Sequence, residues 1–133
     1  MKVAINVCYG GFGLSHAAIM RYAELKGITL YAYTNKPDNY KEYKEFEAGD
    51  NEFCIHYTTE PMVDGDFVDK SYFSTYDLKR TDEHVIQVIE ELGEKANGNH
   101  ANIEIIEIPD DLDYTIEEYD GIEHIAEAHQ TWG

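Results

Sequence analysis

The chain has 133 residues, a formal net charge of −17 and 11 tyrosines. This length suffices for one domain with its own hydrophobic core, and the negative charge argues against nonspecific binding to nucleic acid or to an anionic membrane, which needs a basic face. No apolar run reaches membrane length and no export signal is recognisable, so we expect a cytoplasmic protein in which Cys8 and Cys54 are reduced.

The first third of the sequence predicts a strand, a glycine loop, a helix and a second strand. Residues 2–8 and 28–33 are apolar and β-branched, as strands are. Residues 15–26 favour a helix, with Ser15 as its N-cap and Gly27 as its C-cap. This order predicts two adjacent parallel strands joined by a right-handed crossover.

The glycine loop, residues 9–14, carries three glycines in four positions directly before this helix. A strand that leads through such a loop into a helix N-terminus offers backbone N–H groups to an anion, often a phosphate. The dinucleotide-binding pattern is incomplete, because His16 replaces its third glycine, and Thr34 and Asn35 stand where an acidic ribose-binding residue belongs. Two interpretations stay open: a phosphate-binding loop, or a turn that allows close packing of helix and strand.

Residues 35–80 are the least regular part of the chain, and we interpret them as a variable insertion that carries function or covers the sheet. Within them, the spacing of Tyr40, Tyr43 and Phe46 allows one amphipathic turn of helix, and residues 53–58 are a plausible strand.

A second helix is predicted over residues 83–96, with Asp82 as its N-cap. Lys79 and Arg80 stand just before that cap. Two cations at a helix N-terminus form the best anion site outside the glycine loop. The alternative is that they only offset acidic surroundings.

The last third predicts strands over residues 103–108 and 113–119 and a final helix over 122–129. We therefore expect an α/β fold: one compact domain, residues 1–133, with a mixed, partly parallel sheet flanked by about three helices. The acidic residues of this region could hold Mg²⁺ if their side chains converged, but a solvated face is the favoured interpretation, and no metal or cofactor is predicted. They are Asp110, Asp111, Asp113, Glu117 and Glu118.

Two stretches together suggest a family: residues 6–15, Asn-Val-Cys-Tyr-Gly-Gly-Phe-Gly-Leu-Ser, and residues 88–98 with the C-terminal run 106–132. The chain resembles a family of small, uncharacterised proteins of tailed bacteriophages. The resemblance covers about half of the chain, with residues 35–80 expected to diverge. It implies a viral protein acting in the host cytoplasm and transfers no catalytic residue.

These observations predict a small-molecule binding protein that sequesters a nucleotide-derived, phosphate-containing signal of host antiviral defence. A metal-assisted nucleotide hydrolase and an acidic nucleic-acid mimic that inhibits a host protein are the alternatives. The expected partner is a nucleotide-like ligand, without direct nucleic-acid or membrane binding, and a homo-oligomer is possible. The predicted ligand-binding residues are Tyr9, Gly10, Gly11, Phe12, Gly13, Ser15, Lys79 and Arg80.

Overall fold

Eight strands and two α-helices make up the described part of the chain, residues 1–127 of a computed structural model. The strands are β1 (Lys2–Asn6), β2 (Tyr31–Lys36), β3 (Asn39–Glu45), β4 (His56–Thr58), β5 (Tyr72–Phe73), β6 (Ile103–Glu107), β7 (Tyr114–Tyr119) and β8 (Ile122–Glu127). The helices are α1 (His16–Lys26) and α2 (Glu83–Leu92), and 3-10 turns lie at Glu52–Cys54, Thr75–Asp77 and Gly93–Ala96. Neither helix has the length and apolar character needed to cross a membrane.

All strand pairs within residues 1–127 are antiparallel, in sheets ordered β1–β6, β3–β2–β4–β5 and β7–β8. The prediction of a partly parallel sheet with β1 beside β2 is therefore wrong. In β2 only Tyr33 is buried, and a strand so exposed suits an antiparallel sheet, because parallel strands are covered on both faces. β1 pairs instead with β6, where Val3 lies opposite Ile106.

The predicted third helix over residues 122–129 is also wrong, because residues 122–127 form β8; residues 128 and 129 lie outside the described residues. Asp120 and Gly121 have φ values of 50° and 88° and make the turn of a hairpin in which Tyr119 pairs with Ile122. An Asp-Gly pair with both residues at positive φ is a preferred two-residue hairpin turn. Within residues 1–127, two α-helices rather than about three therefore accompany the sheets.

Residues 35–80 supply β3, β4 and β5, which are three of the four strands in the largest sheet. The helical turn predicted from Tyr40, Tyr43 and Phe46 is wrong, because β3 runs from Asn39 to Glu45 and forms a hairpin with β2. The strand predicted over residues 53–58 is shorter than expected, since a 3-10 turn ends at Cys54 and β4 begins at His56.

The predicted helix ends are confirmed where a local hydrogen bond defines them. The Ser15 hydroxyl accepts from the Ala18 N–H at the start of α1, and Gly27 ends this helix with φ 71°. The Asp82 carboxylate accepts from the N–H groups of His84 and Val85 at the start of α2.

β1 is buried between two hydrophobic clusters. On one face, Ala4 packs with α1 and α2. On the other face, Val3 and Ile5 pack with Ile108 against the β7–β8 hairpin. A third cluster, centred on Ile19 and Tyr57, joins α1 to the four-stranded sheet. The glycine loop leaves the end of β1 and enters α1, so it lies where these packed units meet.

Candidate functional site

A cavity of about 480 Å³ lies beside the glycine loop, within the range of roughly 300–1,000 Å³ that is typical of small-molecule sites. The loop residues 10–14 form one part of its wall, and α1 contributes His16 and Ile19. The 3-10 turn and strand around β4 form a second part, and the segment from β5 to Arg80 forms a third. We call this space the glycine-loop cavity.

Asn6 holds the start of the glycine loop. Its side chain is fully buried, and its Nδ2 donates to the carbonyl groups of Cys8 and Gly121, at 2.7 Å each. Its Oδ1 accepts from the Asn102 N–H at 2.8 Å. A single amide side chain therefore ties the end of β1 to the β7–β8 turn and to the residue before β6.

Some of the glycines are required by close packing. Gly10 has φ 117°, and a Cβ there would come within 2.5 Å of His100. A Cβ on Gly121 would collide with the backbone nitrogen of Gly11, and one on Gly98 would lie 2.9 Å from the Gly13 carbonyl oxygen. The packing interpretation of the loop therefore accounts for Gly10 and for the two glycines that face the loop.

Gly13 is not explained by packing. Its φ is not positive, and a Cβ at this position would meet no atom within 4 Å. Any residue with a negative φ could adopt this backbone, so the absence of a side chain leaves open space beside the cavity wall.

Three of the N–H groups at the start of α1 are already occupied. The Ser15 N–H donates to the Ala96 carbonyl, and the His16 N–H donates to Glu52 Oε1, both at 2.9 Å. The Ala18 N–H donates to the Ser15 hydroxyl. A carboxylate from the 3-10 turn before β4 thus stands where an anionic ligand would otherwise meet the helix N-terminus.

The loop amides differ from those of the helix. The N–H groups of Gly11, Phe12 and Gly13 donate to no acceptor in residues 1–127, and all three residues lie on the cavity wall. Consecutive free N–H groups in a glycine-containing loop can form a concave anion site. On the part of the cavity wall formed by residues 10–19, the N–H groups without an acceptor are therefore in the loop rather than at the start of α1.

Arg80 forms a bidentate ion pair with Glu123, with distances of 2.5 Å from Nη1 to Oε1 and 2.8 Å from Nη2 to Oε2. Burial alone would raise the pKa of Glu123, but hydrogen bonds from Arg80 and from the Asn6 N–H outweigh it and lower that pKa. The guanidinium also lies 3.6 Å from the centre of the Phe12 ring. Arg80 thus lines the cavity with its charge already matched, and it supports the loop through Phe12.

Five of the eight predicted site residues line the cavity: Gly10, Gly11, Phe12, Gly13 and Arg80. The other three do not. Tyr9 and Lys79 are exposed to solvent, and Ser15 is the cap of α1. Lys79 and Arg80 therefore do not act together as a pair of ligand-facing cations.

The predictions missed the aromatic and histidine part of the wall. His16 Nδ1 lies 2.9 Å from the Tyr57 hydroxyl, and their rings stack with centroids 5.7 Å apart. Burial lowers the pKa of His16, with a smaller opposing effect from Glu52, and burial likewise lowers the pKa of His56. Tyr72 and Tyr76 also line this side of the cavity, and both are exposed. The density of tyrosine between residues 31 and 76 was the signal available in the sequence.

The acidic side chains considered for Mg²⁺ do not converge. Asp110 pairs with the N-terminal ammonium group, Glu117 contacts His124 at 2.9 Å, and Glu118 accepts from the Gly121 N–H. Residues 1–127 contain no group of three or more histidine, cysteine or carboxylate side chains placed to hold a metal ion. The cluster that would support a hydrolase is not formed by these residues.

Both cysteines are free thiols. Cys8 Sγ donates to the His100 carbonyl at 3.0 Å, and Cys54 lies on the cavity wall.

Comparison with family models, with curated proteins and with solved structures finds no match to this chain.

Proposed function

We propose that the protein binds a nucleotide-derived, phosphate-containing small molecule in the glycine-loop cavity and holds it without chemical change. The observation that carries this proposal is that the N–H groups of Gly11, Phe12 and Gly13 have no acceptor within residues 1–127 and belong to a loop that lines a ligand-sized cavity. Because these donors are backbone groups, they can bind a phosphate in a protein whose overall charge is strongly negative.

Aromatic side chains on the same wall support a ligand that contains a base. Phe12, Tyr72 and Tyr76 line the cavity, and the last two are 58% and 93% exposed. An exposed ring at a cavity wall gains contact area when a flat ligand stacks on it. A nucleotide combines the flat group and the phosphate that the two kinds of wall would bind.

The resemblance to small phage proteins supports a role in the host cytoplasm, where sequestering a nucleotide signal would silence an antiviral defence. A binding protein needs no acid–base pair for this role. Hydrolysis would need one, and inhibition by charge mimicry would need no cavity; both are therefore alternative outcomes of the same experiment.

The experiment incubates the protein with a panel of ribonucleoside monophosphates and diphosphates, ADP-ribose and cyclic dinucleotides, and removes unbound compounds by gel filtration. Heating then releases what was retained, and mass spectrometry identifies it. Recovery of an intact compound supports sequestration, and recovery of an altered compound indicates catalysis. Retention of nothing from the panel contradicts the proposal and favours an interaction with a protein.

A further inference from the structure

We infer that Glu52 recognises the vicinal hydroxyl groups of a ribose, so that the nucleoside end of the ligand lies against α1 and its phosphate lies on the glycine loop. This inference rests on the proposed function and assigns the orientation and the sugar specificity of the ligand.

The position of Glu52 leaves one of its carboxylate oxygens available to a ligand. Glu52 lies on the wall of the glycine-loop cavity, and the His16 N–H at the start of α1 holds its Oε1 at 2.9 Å. Within residues 1–127 the carboxylate forms no ion pair, and its Oε2 accepts no hydrogen bond. One oxygen is thus fixed by the helix, and the other is available to a ligand.

The charges on the cavity wall favour a hydroxyl group rather than a phosphate beside Glu52. Arg80 is paired with Glu123, so Glu52 is the carboxylate of the described wall whose charge has no cationic partner. A phosphate beside it would be repelled, whereas a hydroxyl group would donate to it a strong, charge-assisted hydrogen bond. A carboxylate can accept from two neighbouring hydroxyl groups, which is how acidic residues recognise ribose in dinucleotide-binding proteins.

Glu52 also supplies what the sequence pattern lacks. The acidic residue is missing after the predicted second strand, residues 28–33, where Thr34 and Asn35 stand. The structure provides a carboxylate from the turn before β4 instead, on the same cavity as the loop amides. A nucleotide could then contact both, with its phosphate and its sugar at separate places.

The test compares the four ribonucleoside diphosphates ADP, GDP, CDP and UDP with their 2′,3′-dideoxy counterparts by calorimetric titration. The parent protein should bind the best ribonucleotide about ten to a hundred times more tightly than its dideoxy form, which is the range expected for hydrogen bonds to a charged group. Glu52→Gln keeps an oxygen acceptor for the His16 N–H but removes the charge, and it should lose most of this preference.

Glu47→Gln is the matched control, because Glu47 is an exposed glutamate of the same connection that does not line the cavity. It should keep the full preference. Equal binding of ribose and dideoxy forms by the parent protein, or an undiminished preference in Glu52→Gln, overturns the inference while leaving nucleotide binding intact. Failure of all four diphosphates to bind overturns the inference itself, and failure of the wider panel overturns the proposed function.

Discussion

Gly13 and Gly98 lie on neighbouring segments, joined by a hydrogen bond of 2.8 Å from the Gly98 N–H to the Gly13 carbonyl. A Cβ on Gly98 would press against the backbone of Gly13, whereas a Cβ on Gly13 would meet open space. Substitutions at these two glycines should therefore distinguish a structural role of the loop from its proposed role in binding.

Gly13→Val should leave the free energy of unfolding within about 1 kcal/mol of the parent value, because the position is neither strained nor crowded. It should weaken nucleotide binding, since the new side chain stands beside the loop amides. Gly98→Ala should instead lower the melting temperature through its backbone contact. Melting curves and calorimetric titration of both variants check these effects. Normal nucleotide binding by Gly13→Val would show that the loop has only a structural role.

Arg80→Ala should lower the free energy of unfolding by about 3 kcal/mol, because it leaves the buried Glu123 carboxylate without its partner. Lys79→Ala removes the same charge from an exposed position and should change stability by less than about 0.5 kcal/mol. Denaturant unfolding of both variants makes the comparison. Equal, small effects would show that the Arg80–Glu123 pair does not stabilise the fold.

Among the elements, α1 and the four-stranded sheet meet through His16, Tyr57 and Phe46. The His16 ring lies 4.5 Å from that of Phe46 and stacks on Tyr57, and His56 packs among Tyr43, Phe67 and Tyr72 on the sheet. Burial lowers the pKa values of both histidines and therefore favours their neutral forms.

The burial of His16 and His56 should make the free energy of unfolding depend on pH. Because the folded pKa values lie below the unfolded value of about 6.5, the unfolded chain binds more protons near that pH. The contribution of His16 and His56 is therefore complete above pH 6.5 and is lost as the pH falls through their folded pKa values. Melting temperatures between pH 8 and pH 5 should fall less steeply in His16→Gln and in His56→Gln than in the parent protein.

His100→Gln is the control for this prediction, since His100 is exposed and its ring forms no hydrogen bond or ion pair within residues 1–127. It should keep the parent pH dependence. The same slope in all four proteins would show that the two half-buried histidines, His16 and His56, do not couple protonation to folding.

For the molecule as a whole, the local signals in the sequence were sufficient for the starts of α1 and α2 but not for the sheets, and α2 ends at Leu92 rather than at the predicted residue 96. Ser15, Gly27 and Asp82 define helix ends through groups close to them in the chain, and these were predicted. The partner of β1 is β6, from the far end of the chain, and no local pattern specifies that pairing. The Asp120-Gly121 turn was a hairpin signal whose meaning depended on recognising β8 as a strand.

The candidate site was predictable in the same partial way. The clustered glycines predicted a ligand-binding loop at residues 10–13, and these residues line a cavity. Glu52, His56 and Tyr76 reach that cavity from segments whose positions depend on the antiparallel sheet. The pairing of Arg80 with Glu123 depends likewise on the β7–β8 hairpin, so its charge could not be assigned from sequence.

The central claim is that the amides of the glycine loop bind a nucleotide, and ¹⁵N-glycine labelling with two-dimensional NMR tests it most directly. Adding each nucleotide of the panel should shift the Gly11 and Gly13 signals in saturable fashion for at least one compound. Gly65, in a turn outside the cavity wall, should not move. Unchanged Gly11 and Gly13 signals with every compound at millimolar concentration would contradict the claim.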